Sequence, residues 1–197
     1  PAFSIALVVD QEVVFSQGFG VAQKADGDSP AKSATANTVY RVGSVSKLFT
    51  DLAVMQLVDQ GKLDLDANVQ TYLPGFQPEN PFGKPLTLRQ LMSHRSGLVR
   101  ESPVGHYFDP TEPSVAATTR SLNNTGLIYE PESRTKYSNA GITVVGRVLE
   151  KVSGQPFERV IEQAVLSPLE MDRSSFSFDA SVQPHLAEAI MWTYDGR

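Results

Sequence analysis

Cysteine is absent from the 197-residue chain. That excludes disulfides, thiol catalysis and thiolate metal sites, and leaves the compartment open. Histidine is scarce: His94, His106 and His185 stand at no metal-ligand spacing with one another or with a suitable carboxylate, so no metal site is expected. No apolar run approaches the roughly 18 residues that a membrane-crossing helix needs. The stretch Phe3–Val9 is too short for a signal peptide and lacks a basic leader. Basic charge is in deficit, with 17 Lys and Arg against 22 Asp and Glu and a formal net charge of −5, which argues against a nucleic-acid footprint. No serine sits in a Gly-x-Ser-x-Gly elbow. Gly18-Phe19-Gly20 lacks the third glycine and the following helix of a dinucleotide loop. There is no internal repeat, linker or low-complexity segment.

What remains is enough apolar material, 41% of residues, to build a core of about one domain. Phe3–Asp10 and Val13–Gly20 read as two strands of a hairpin, and Lys24–Thr38 as a polar loop. Leu48, Leu52, Met55 and Val58 recur at helical spacing, with Gly61 as a stop. Thr87-Leu88-Arg89-Gln90 is a capping box that opens a short helix through Met92. Five Gly and Pro residues between Gly97 and Pro113 mark a loop, and Ser114–Asn123 is predicted helical. Ile142, Val145, Val148, Leu149 and Val152 form one face of a helix ending at Gly154. Gln155–Val165 forms another, with Phe157, Val160, Ile161 and Ala164 inward. From Ser167 to Arg197 the pattern is mixed.

The chemistry concentrates at two helix entrances. Ser44-Val45-Ser46-Lys47 places a hydroxyl and an amine three residues apart, on one face where a helix begins. A serine hydroxyl needs a neighbour to take its proton, and Lys47 can do so only if burial or nearby positive charge lowers its pKa. The helix start adds N–H groups and a positive dipole end suited to an oxyanion. Taken alone, the tetrad reads equally as a helix cap with a solvated lysine. Tyr137-Ser138-Asn139 adds a phenol and an amide at the second entrance. A Tyr–Lys pair can relay a serine proton, and an Asn amide can hold a substrate carbonyl.

With these motifs in order, Gly43–Thr50, Leu91-Met92-Ser93-His94-Arg95-Ser96-Gly97-Leu98 and Tyr137-Ser138-Asn139-Ala140-Gly141, the chain resembles the serine β-lactamase and penicillin-binding-protein superfamily. Gly146–Gly154 and Ser167-Pro168-Leu169-Glu170-Met171 make the class C-like branch the nearest resemblance. That branch holds β-lactamases, D-alanyl-D-alanine carboxypeptidases and related esterases. The resemblance runs from about Phe3 to Met171. Two turn glycines of the family are replaced, by Glu132 after Pro131 and by Glu170 after Leu169, which bears on local backbone shape. The family's third motif, Lys-Thr-Gly or His-x-Gly, has no counterpart after Asn139, and Pro1-Ala2-Phe3 falls inside what resembles the first core strand. The expectation is therefore an α+β, β-lactamase/transpeptidase-like partial domain over 1–197. It would comprise a two-stranded core hairpin at 3–20 and a helical region at about 44–171, with the C-terminal sheet strands absent.

The resemblance implies a serine hydrolase with Ser44 as nucleophile. Lys47 and Tyr137 move its proton, and either could be the formal base. Asn139 orients the substrate, and the Ser44 N–H is one oxyanion donor. No cofactor is implied. The substrate would be a small molecule or peptidoglycan-like, with a β-lactam, D-Ala-D-Ala peptide or ester carbonyl; a second chain could supply the absent strands, and the bacterial envelope is the implied location. The alternative is a binding or scaffolding member of the fold without turnover. His94 reads as a structural hydrogen-bonding residue rather than a base, and Asp64 and Asp66 as a solvated or capping pair. Tyr107 and Phe108 read equally as pocket lining or surface packing. Asn123-Asn124-Thr125 matches a glycosylation sequon, a triplet common by chance.

Overall fold

A computed structural model describes residues 1–178 and 182–189, so part of the poorly periodic C-terminal stretch lies outside the described residues. The chain divides into two compact units, Pro1–Gly43 with Met171–Arg197, and Ser44–Glu170. Among the described residues no helix is long and apolar enough to cross a membrane.

In the first unit β1 (Ala2–Val9) and β2 (Glu12–Gln23) pair antiparallel, from Ala2 opposite Gly20 to Val9 opposite Glu12. The reversal falls at Asp10 and Gln11, both at positive φ, as a tight two-residue hairpin requires. The sheet has three strands where the sequence pattern suggested two: β3 (Lys32–Ser33) pairs with the far end of β2 inside the stretch read as loop. Two residues are too few to register as an alternating pattern. Gly18 permits this crowding, because a Cβ there would stand 2.3 Å from the Thr35 nitrogen. The buried cluster is small, built from Ala22, Ala34 and Ala187 with Ala2 and Tyr40 against it. Most large side chains of the hairpin, including Phe3, Leu7, Val13 and Val14, remain exposed.

The second unit is helical: α1 (Ser46–Asp59), α2 (Leu88–Met92), α3 (Val115–Ser121), α4 (Asn139–Ser153) and α5 (Phe157–Ile161). Its core joins Val54, Leu88, Leu91, Leu98, Leu122, Val144, Val145, Val148, Leu149 and Ile161. Local signals hold here. The capping box at Thr87 and Gln90 is formed in both directions. Gly154 closes α4 in the left-handed conformation. Gly61 also stands at positive φ, two residues past α1.

Periodicity alone does not decide which side of a helix is buried. α1 turns Thr50, Ala53 and Val54 inward and leaves Leu48, Leu52 and Met55 exposed. A helix apolar on two sides offers two faces, and periodicity favours the bulkier one although the smaller packs inside. After α5 the chain widens into a π-helical turn, Glu162–Leu166. The wider turn shifts the register, burying Val165 and Leu166 and leaving Ala164 half-buried. Asp64 caps its own turn through the Asp66 N–H, while Asp66 takes both arms of the Arg89 guanidinium at 2.7 and 2.8 Å. Asp66 is thus ion-paired rather than merely solvated.

Candidate active site

Gly43–Val45 forms a 3-10 turn that runs straight into α1, which sets Ser44 in the first turn with its side chain exposed. Lys47, one turn on, donates from Nζ to Ser44 Oγ at 3.1 Å. The Tyr137 phenol oxygen lies 2.5 Å from the same Oγ, and the Lys47 ammonium is 4.9 Å from the Tyr137 ring centroid. Three groups from two distant segments therefore meet at one hydroxyl. The phenol pKa is held below its ordinary value, first by the Lys47 side chain and then by the hydrogen bond with Ser44. A more acidic phenol beside a cation yields its proton more readily, which suits a relay with the serine.

Tyr137 is held from both sides by His94. The His94 carbonyl accepts the Lys136 N–H at 2.8 Å, and its Nδ1 accepts the Ser138 N–H at 3.3 Å. The imidazole ring packs against the phenol ring, tilted by 38° with centroids 4.4 Å apart. Because Nδ1 must offer a lone pair, the ring must be neutral there. Burial, with Lys47 nearby, lowers the His94 pKa and favours that form. His94 is thus a hydrogen-bonding support, at positive φ in its turn. Gly97, three residues on, also has positive φ, and a Cβ there would lie 1.9 Å from the Tyr129 carbonyl oxygen.

Ser138, fully buried, caps α4 by accepting the Gly141 N–H at 2.8 Å while donating to the Val99 carbonyl at 2.7 Å. Glu132, one of the two replaced turn glycines, keeps a left-handed φ of 69°. Its carboxylate and carbonyl both accept from Arg95, at 2.6 Å each. The second replacement, Glu170, also keeps a left-handed φ, of 54°. Together these contacts fix the segment that carries Tyr137 and Asn139.

Asn139 donates through Nδ2 to Glu101 Oε1 at 2.6 Å. An ionised carboxylate only accepts, so this contact decides which way the amide points. Glu101 and its neighbour Arg100, whose guanidinium lies 5.1 Å from the Tyr137 ring, escaped the sequence reading because no local pattern marks them. Both line a cleft of about 730 Å³ with Ser44, Tyr137 and Asn139, and Tyr107 and Phe108 form part of its wall with His106. Asp64 and Asp66 do not line it. The sequon asparagine, Asn123, is committed elsewhere: its amide donates to the Gly75 carbonyl at 2.8 Å and accepts the Gln77 N–H at 2.7 Å.

A family model described as Beta-lactamase matches residues 1–195. Beta-lactamase-like protein 2 of Dictyostelium discoideum is 35% identical over 199 residues, covering 97% of the chain and 35% of its own length. The octameric penicillin-binding protein homologue from Pyrococcus abyssi superposes with a TM-score of 0.80 at 29% identity, over 100% of this chain and 45% of that one. EstCE1, a hydrolase with promiscuous acyltransferase activity, gives 0.78 at 28% identity, over 95% and 50%. The chain thus spans between about a third and a half of the length of these relatives.

Proposed function

The chain belongs to the Beta-lactamase family, and on that premise we propose that it works as a serine hydrolase forming an acyl-enzyme at Ser44. The observation that carries this reading is the convergence of Lys47 Nζ and the Tyr137 phenol on Ser44 Oγ, at 3.1 and 2.5 Å, at an open cleft. Ser44 Oγ attacks the carbonyl carbon of an amide, lactam or ester while its proton passes to the Tyr137–Lys47 pair, which accepts it in the form holding one proton fewer than phenol plus ammonium. The resulting oxyanion collapses, the pair returns the proton to the leaving nitrogen or oxygen, and the acyl group stays on Ser44. A water then repeats the attack, the pair accepts its proton and returns it to the departing Ser44 Oγ, and the acid is freed. Tyr137 and Lys47 act as one coupled unit, since Lys47 contributes most to making the phenol more acidic. The likeness to a hydrolase with acyltransferase activity supports an acyl intermediate, since such a transfer needs one or its equivalent.

Mass spectrometry of the full-length protein after exposure to a chromogenic β-lactam or a p-nitrophenyl ester tests this. A covalent adduct on Ser44 that disappears in Ser44→Ala is expected. An adduct that persists in Ser44→Ala would assign the nucleophile elsewhere.

A further inference from the structure

Tyr107 and Phe108 are two large aromatic side chains, 77% and 75% exposed, on a loop wall of the same cleft as Ser44. The loop that carries them is tied down. Asp109 accepts the Gly105 N–H at 2.7 Å, the Thr111 N–H at 3.0 Å and the Thr111 hydroxyl at 2.6 Å. Those bonds, the Thr111 hydroxyl first, pull its carboxyl down to about 2, so the hub stays ionised across the working pH range. His106 Nδ1 accepts the Phe108 N–H at 3.1 Å, and the Val104 N–H reaches the Ser121 hydroxyl at 3.3 Å. Gly105, at positive φ, lies so close to α3 that a Cβ would stand 2.3 Å from Thr118 Oγ1. The two rings meet edge to face with centroids 5.1 Å apart, the arrangement that aromatic pairs prefer.

We propose that Tyr107 and Phe108 form a specificity wall that selects substrates bearing a flat apolar group, aryl by preference, beside the carbonyl attacked by Ser44. This rests on the serine-hydrolase reading and adds the substrate's chemistry to it. The wall touches substrate and takes no part in proton transfer. Its contribution is apolar contact plus ring stacking, held ready by a loop that does not have to order itself on binding. An aliphatic acetyl ester leaves both rings wet and gains nothing from them.

Hydrolysis of ethyl acetate, phenyl acetate and ethyl phenylacetate by the full-length protein, followed by pH-stat, places a phenyl group on neither side, the leaving side or the acyl side. Tyr107→Ala with Phe108→Ala is expected to cut kcat/KM for at least one phenyl ester roughly 10-fold or more relative to ethyl acetate. The side that loses shows which group the wall reads. Equal losses on all three esters would overturn the proposal. Calorimetric binding of N-benzylacetamide to the Ser44→Ala protein gives a second readout that needs no turnover. Its affinity is expected to fall roughly 10-fold when both rings are removed, and unchanged affinity would refute the wall. Ser44→Ala hydrolysing all three esters at the wild-type rate would instead sink the serine-hydrolase reading and leave the binding result standing. Both side chains are mostly exposed, so their truncation leaves the fold intact, which circular dichroism checks.

Discussion

Replacing Asp51 with Asn probes the cost of the acidic group that α1 carries one turn beyond Lys47. Asp51 is half-buried, and its Oδ1 is buried with no hydrogen-bond partner among the described residues. Burial raises its pKa from 3.8 to about 6, and the attraction of Lys47 offsets only part of that. A carboxyl raised in this way binds more protons folded than unfolded. Stability therefore falls as pH climbs from 3.8 to about 6 and stays lower above it. At about 1.36 kcal/mol per pH unit, that gap bounds the penalty near ~3 kcal/mol. Because the carboxyl keeps part of its solvent contact, screening brings the working value to about 1–2 kcal/mol. Asn has the shape of the neutral acid without its titration. Asp51→Asn is thus expected to be more stable than wild type by about 1–2 kcal/mol near neutral pH and equal to it near about pH 4. Urea unfolding across that range, with equal slopes for the two proteins, measures the difference. A gap that stays constant with pH would show that Asp51 does not carry the penalty.

Tyr137→Phe and Lys47→Ala are each expected to slow acyl-enzyme formation by roughly 10²-fold or more, read as the rate of adduct growth by mass spectrometry. His94 has a depressed pKa, so its contribution is present above the ordinary histidine value and is lost as pH falls through the lowered one. Acid should therefore release the Ser138 N–H and cut activity, and His94→Asn, which keeps an acceptor and tolerates positive φ, should flatten that acid limb of the kcat/KM profile. Glu170→Gly relieves a left-handed residue with no side-chain bond to lose among the described residues, and is expected to raise stability by about 0.5–1 kcal/mol in urea unfolding. Glu132→Gly should gain less because it sacrifices the Arg95 pair. Gly97→Ala drives a methyl into the Tyr129 carbonyl and is expected to cost about 3 kcal/mol or more, read as a lowered unfolding midpoint.

What the sequence makes legible follows the range of the interaction. The capping box at Thr87, the stop at Gly154 and the i, i+3 pairing of Ser44 with Lys47 are decided within one or two helical turns. Residue types at fixed spacing therefore suffice. Tyr137 lies 93 residues from Ser44, so no local spacing joins the two; their complementary chemistry at two helix entrances and the family resemblance do. Which face of α1 turns inward is not legible in the sequence, because burial is chosen by what packs against a helix, not by its own periodicity. β3 went unseen because its two residues exist as a strand only through the partner that Gly18 allows to come close.

Asn139 shows where local reasoning stops within the site itself. Its place at the entrance of α4 follows from Ser138, whose hydroxyl caps the helix, and from the apolar face behind it. Its working orientation does not. The amide is turned by Glu101, 38 residues upstream, and a carboxylate can bind only the NH2 end. One N–H is thereby committed, so a substrate carbonyl can meet only the second N–H, while Oδ1 is left to accept from a substrate N–H or from a protein donor. Neutralising Glu101 as Gln removes that constraint, because a side-chain amide both donates and accepts and lets Asn139 flip. The residue that decides which way the Asn139 amide faces is therefore one that no motif contains.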